Sequence, residues 1–156
     1  VYHPLAFYAA YFSIRAKAFD LRIMTGDLKT QMTEFNRIKA LDRSASPKDK
    51  DLMSALEVSM EMYQRGYRFV NVDIQHSEAR RFSIKDGALL PPFLAIDSLG
   101  ETVADAIVAE REERPFTSLK DLQRRCKVSN TIIDLMKDLK CCGELPEDEQ
   151  MSLFGA

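Results

Sequence analysis

The sequence predicts a mainly α-helical protein with a small β element, and three observations carry that assignment. Apolar residues recur at helical spacing through residues 4–65 and again through 100–140. Serines stand where helices should start: Ser46 precedes Pro47 and Asp49, and Ser118 precedes Asp121. Between the two helical parts, Val70, Val72 and Ile74 alternate with polar residues, and Asp86-Gly87 forms a hairpin-turn signal.

The elements follow in order. Pro4 suits a first helical turn, and residues 4–18 read as a helix apolar on more than one face through Leu5, Tyr8, Tyr11, Phe12 and Ile14. Core packing is favoured over base stacking for its aromatics. A second helix is expected near Asp27 to Leu41, with Leu28, Met32, Phe35 and Ile38 on one face. A third starts at Ser46, carries the stripe Leu52, Leu56, Met60 and Tyr63, and stops at Gly66. The stretch Val70–Ile74 reads as a strand, and residues 81–85 pair across Asp86-Gly87 with 88–90. Beyond Pro91-Pro92 three helices are expected. The first runs from about Thr102 to Glu113, the second opens at Ser118, and the third is capped by Ser129 with Ile132, Ile133, Met136 and Leu139 inward. An acidic tail, expected to be mobile, closes the chain. The domain boundaries follow: 1–66 helical, 67–93 a small β element, 94–145 a helical hairpin region, 146–156 the tail.

Composition narrows the function. With 156 residues, 46% hydrophobic and 29% charged, the chain reads as soluble and globular, and its apolar runs are too short and broken for a membrane helix. A net charge of −2 gives no bulk attraction to nucleic acid, so any such contact must come from local geometry. Cys126, Cys141 and Cys142 are odd in number, no Cys-x-x-Cys exists, and His3 and His76 lie far apart. No metal on Cys or His and a reducing, cytoplasmic setting are expected. The start at Val1, without signal-peptide pattern, reads as a piece of a longer protein.

Two features carry chemistry. Ile96-Asp97-Ser98-Leu99-Gly100 followed by a helix from Glu101 has the order of a helix-hairpin-helix: apolar, two turn residues, apolar, glycine, helix. A glycine there lets backbone N–H groups approach a phosphate, and the next helix offers its positive end. Residues 116–145 read as a second, degenerate copy with a basic cluster at Arg124, Arg125 and Lys127, and Arg111 and Arg114 end the earlier helix. The expected DNA-binding set is Ser98, Leu99, Gly100, Glu101, Thr102, Arg111, Arg124, Arg125 and Lys127. The bland alternative is a plain helical bundle with a solvated basic face. The second feature is Gln150, Met151, Ser152, Leu153 and Phe154, a large apolar pair in an acidic tail, which suits docking into a partner's pocket. Fold-back onto its own domain is the competing reading.

These residues resemble the C-terminal end of PolC-type DNA polymerase III alpha subunits, the C-family replicases of Gram-positive bacteria. The resemblance spans essentially the whole chain. It rests on Tyr2-His3-Pro4-Leu5 with Tyr8-Ala9-Ala10-Tyr11-Phe12, Ser46-Pro47-Lys48, Val72-Asp73, Leu90-Pro91-Pro92-Phe93, Leu99-Gly100, Phe116-x-Ser118-Leu119-x-Asp121-Leu122 and the ending at 150–154. Ser98 departs from the family's usual glycine and Asp97 from its usual proline. The resemblance implies that residues 1–66 belong to the fingers and that 94–145 grips primer-template DNA. It also implies that residues 150–154 bind the sliding clamp, the beta subunit. The remainder of the polymerase chain would be a further partner. The catalytic aspartates and their Mg²⁺ would lie upstream, leaving no catalytic residue, metal or cofactor on this chain. A stand-alone helix-hairpin-helix module of a repair protein and a protein-interaction domain without DNA binding remain the alternatives.

Overall fold

The computed structural model describes residues 3–149. Among them lie seven α-helices and one two-stranded antiparallel hairpin. Helix α1 (Pro4–Ile14) is shorter than expected, because the chain passes into a 3₁₀ turn at Ala16–Ala18. A short helix, α2 (Leu21–Met24), follows, capped by the Asp20 carboxylate, which accepts from the Arg22 and Ile23 amides. The pattern had not suggested it, since one turn is too short to show periodicity.

Helices α3 (Leu28–Leu41) and α4 (Pro47–Gln64) form an antiparallel pair. Asp27 caps α3, and α4 opens on the expected capping box between Ser46 and Asp49. Their inward faces are rotated from the expected stripes. On α3 the buried residues are Gln31 and Ile38, while Met32 is 46% exposed. On α4 they are Leu52, Ala55, Leu56, Ser59 and Met62, with Met60 and Tyr63 only partly covered. A polar contact sets this rotation: the buried Ser59 hydroxyl donates to Gln31 Oε1 at 2.6 Å, and Gln31 Nε2 donates to the Met24 carbonyl at 3.0 Å. Tyr63 donates to the same carbonyl at 2.7 Å. A buried glutamine with its partners in place costs little, and an apolar-only stripe cannot foresee it.

Strands β1 (Ser83–Lys85) and β2 (Ala88–Leu90) pair through the Asp86-Gly87 turn, where both residues take positive φ (51° and 76°) as a type I′ turn requires. The strand expected at Val70–Ile74 does not form. Val72 and Ile74 are buried with period two, but only one parallel bridge, Phe69 to Leu89, joins this stretch to β2. Beyond it the backbone turns to other partners: Asn71 donates to the Leu139 carbonyl at 2.6 Å and the Ile74 amide to the Cys141 carbonyl at 3.0 Å.

A single 3₁₀ turn (Phe93–Ala95) then leads to α5 (Glu101–Glu113), α6 (Leu119–Cys126) and α7 (Asn130–Asp138). Ser118 and Ser129 cap α6 and α7 as expected. The buried core runs continuously from Tyr8 to Cys142. Its aromatic centre joins the helical first part to the β element: the fully buried Phe12 ring meets Phe69 edge-on at 4.9 Å and lies 6.1 Å from Phe19 and 5.8 Å from Phe82. Such rings combine a large buried area with favourable edge-to-face geometry. Phe12→Ala should destabilise the fold by about 3–5 kcal/mol in denaturant titrations. The expected clamp peptide, 150–154, lies outside the described residues.

Candidate nucleic-acid interface

The hairpin at Ile96 to Gly100 is held from behind. The amides of Phe93 and Leu94 donate to the carbonyls of Glu78 and Ala79 at 2.9 and 3.0 Å. Ile96 and Leu99 are 1% and 4% exposed and anchor the two sides of the turn. Between them Asp97 and Ser98 point outward, and the Leu99 amide closes the turn on the Ile96 carbonyl at 3.2 Å. This is the expected alternation, with a difference in where the unusual backbone sits. Ser98 takes φ 65°, the left-handed region that the third residue of a type II turn needs. Gly100 has an ordinary extended φ of −81°, and a Cβ built there would meet nothing within 4 Å.

Helix α5 therefore begins from an exposed glycine. No side chain caps it, and its first internal bond is from the Ala104 amide to the Gly100 carbonyl at 3.0 Å. The amides of Glu101, Thr102 and Val103 precede that bond, so the positive end of the helix opens outward beside the turn. Glu101 and Thr102 are exposed. The second copy has the same outline: α6, a left-handed residue at Lys127 (φ 56°), then α7. It differs at the helix start, where the Ser129 hydroxyl already accepts from the Ile132 amide at 3.3 Å.

The expected cations divide into two groups. Arg111 faces inward: its guanidinium donates to the carbonyls of Ile74 and Ser77 at 3.0 and 2.8 Å and lies over the Phe93 ring. The Arg125 side chain, 7% exposed, donates to Glu110 and Asp121 and to the carbonyls of Pro115 and Arg114, and it covers the Phe116 ring. Both hold the helices together. Arg124 and Lys127 are the solvent-facing members; Arg124 also pairs with Asp121 at 2.8 Å.

Asp121, fully buried, is the centre of this network. Burial pushes its carboxyl up, but the Thr117 amide and the Arg125 guanidinium outweigh that, and the net direction is below the ordinary carboxylate value. The sign follows: a carboxyl depressed in the folded state contributes stability above its unfolded pKa of about 3.9, and that stability is lost as pH falls through the folded value. Asp121→Ala leaves Arg125 buried beside a missing partner and should cost about 3 kcal/mol at neutral pH. The loss should shrink when the comparison is made by thermal melting below pH 4.

The sequence reading missed the residues around the hairpin. Arg80 lies over the start of α5 and is held by Asp105 at 2.6 Å and Glu101 at 3.5 Å. Residues 96–100 also form one wall of a groove of about 480 Å³, whose other side carries Lys17, Arg22 and Lys48. These three lie 48 residues or more from Gly100, and no local spacing links them to it. Among the described residues no group of three or more His, Cys, Asp or Glu side chains is arranged to hold a metal ion. Asp73, a candidate carboxylate by its position after Val72, is engaged with the Gln75 amide, His76 and Lys85. No described helix is long and apolar enough to cross a membrane.

Two buried anchors around an outward turn, followed by an uncapped helix, define a helix-hairpin-helix. The chain belongs to the helix-hairpin-helix motif family, whose model matches residues 66–150. Over 99% of its length it is also similar to proteins named DNA polymerase III PolC-type. It is 43% identical to that of Caldanaerobacter subterraneus subsp. tengcongensis, 45% to that of Streptococcus suis and 43% to that of Streptococcus pyogenes. The chain spans only 11% of the length of these relatives, so it matches one segment of a PolC-type polymerase.

Proposed function

We propose that this chain is the segment of a PolC-type DNA-directed DNA polymerase that grips primer-template duplex through phosphate contacts and tethers the enzyme to its sliding clamp. The observation that carries the grip is the uncapped start of α5 behind the Ile96-to-Gly100 hairpin. Its amides suit a phosphate oxygen, and the open space at Gly100 leaves room for one. Such contacts position a duplex without reading its sequence. Ser98, Leu99, Gly100, Glu101 and Thr102 supply the backbone of this contact. Arg124 and Lys127 add charge from the second hairpin, while Arg111 and Arg125 act by keeping the two hairpins in register.

Nucleotidyl transfer belongs to the rest of the polymerase chain. The described residues here offer no converging carboxylates for a two-metal site, so no catalytic step is assigned to them. The tether is read from Gln150, Met151, Ser152, Leu153 and Phe154. Two large apolar side chains after an acidic linker suit a partner pocket, and docking raises the effective concentration of the primer end without a further DNA contact. Chromosomal replication puts this work in the cytoplasm.

The grip is tested by Gly100→Asp. Aspartate is a good N-cap, so thermal stability should hold or rise by a few tenths of a kcal/mol. The new carboxylate occupies the same amides and repels phosphate, so duplex affinity should fall by about 10-fold or more. Unchanged affinity by fluorescence anisotropy would remove the hairpin from the contact. The tether is tested with Leu153→Ala/Phe154→Ala. Calorimetric titration should show binding to a bacterial sliding clamp by the unaltered chain and none by the double variant. Failure of the unaltered chain to bind several such clamps would end the tether reading.

A further inference from the structure

We infer that Lys17, Arg22 and Lys48 form a second wall of the DNA contact, so that one sugar-phosphate strand runs in the groove between them and the hairpin. This rests on the duplex-gripping role and extends it to residues of the first helical part, far from the hairpin in sequence.

Three observations carry it. The groove of about 480 Å³ is lined on one side by Ile96, Asp97, Ser98, Leu99 and Gly100, the segment that leads into the uncapped helix start. Lys17, Arg22 and Lys48 line it from the other side, and all three are exposed. None of the three forms an ion pair with a described residue, although acids outnumber Lys and Arg by 24 to 22. Elsewhere Arg37, Arg80, Lys85, Lys120, Arg125 and Lys137 all have carboxylate partners. Two carboxylates also border the groove. Asp20 is occupied in capping α2, and Asp97 stands at the tip of the turn. The groove thus keeps one positive charge in excess on a chain whose net charge is −2.

The arrangement suits an extended polyanion better than a single small anion. Backbone amides lie on one wall and three separate point charges on the other. Lysine and arginine on long stems reach successive phosphates, and both walls are blind to base identity. The path continues past the start of α5. A neighbouring depression shares Lys17, Ala18 and Leu94 with the groove and carries Arg15 and Arg80. The two parts cannot drift apart, because the Ala16–Ala18 turn packs on the Phe93–Ala95 turn.

The test uses the whole chain and a short DNA duplex of arbitrary sequence, titrated by fluorescence anisotropy between about 50 and 200 mM salt. Lys17→Gln/Arg22→Gln/Lys48→Gln should lower the slope of log affinity against log salt by about 2 to 3, near 0.9 per phosphate released. Affinity at the lowest salt should fall about 10- to 100-fold, equally for unrelated sequences, with the melting temperature unchanged because all three side chains are exposed. Lys29→Gln/Lys39→Gln/Arg43→Gln removes equal charge from exposed sites outside the groove and should leave the slope intact. A groove variant with the unaltered slope, while Gly100→Asp loses affinity, would overturn the second wall and leave the grip standing. Equal losses in the control variant would also overturn it, as an effect of bulk charge. Absence of salt-dependent binding by the unaltered chain would overturn the grip and the second wall together.

Discussion

The packing of Phe12 against Phe19, Phe69 and Phe82 is the constraint on which the rest of the molecule depends. Phe12 and Phe19 come from the helical first part, while Phe69 and Phe82 flank the β element. Their rings interlock, with Phe19 and Phe69 also edge-on at 4.8 Å. The Ser13 hydroxyl accepts from the Phe82 amide at 2.9 Å beside them. The cluster therefore fixes the Ala16–Ala18 turn relative to the β element, and with it the distance from Lys17 to the hairpin. Interlocked aromatic cores are close-packed and transmit position rather than absorbing it.

From the other side, the hairpin is positioned by charge buried in the fold. Arg111 joins α5 to the carbonyls of Ile74 and Ser77, and Ser77 in turn donates to the Pro91 carbonyl at 2.8 Å. Arg125 joins α6 to the end of α5 through Glu110 and two carbonyls beyond it. Guanidinium groups suit this task, since five donors in a rigid fork can satisfy several carbonyls at once. Buried pairs of this kind contribute little net stability but fix geometry, as removal of either partner strands a charge. The hairpins are held by cations that never meet a ligand, and this leaves the ligand-facing work to backbone amides and to exposed lysines and arginines.

Helix starts were the most legible part of the sequence. Ser46, Ser118, Ser129 and Asp27 announce their helices through local chemistry that tertiary packing does not override. The Asp86-Gly87 turn was legible for the same reason. Faces were less so. Met32 was expected inward and Gln31 outward, and the Ser59 hydrogen bond reverses them. Val70–Ile74 has the alternation of a strand, but alternation records burial, not pairing, and its backbone partners lie near residues 139–141. The same limit applies to the site. The hairpin was visible as a local pattern, whereas the inward turn of Arg111 and Arg125 and the approach of Lys17, Arg22 and Lys48 are tertiary facts. A basic residue looks the same in sequence whether it holds a carbonyl or faces water.

Gly100 offers the sharpest link from local energetics to function. Five helices of the described chain begin on a side-chain cap, from Asp20, Asp27, Ser46, Ser118 and Ser129. Such caps are typically worth about 1 kcal/mol over an uncapped start. The α5 start forgoes one, although a side chain at 100 would meet no neighbour. Nor does the fold need a glycine's conformational freedom there, since φ is −81° and the left-handed residue of the turn is Ser98. Nothing inside the chain accounts for a bare backbone at this position. A partner that approaches the amides from outside does, because it both requires the clearance and supplies the missing acceptor. Stability withheld at one helix start, in a chain that caps its others, is what a phosphate-binding hairpin should look like before its phosphate arrives.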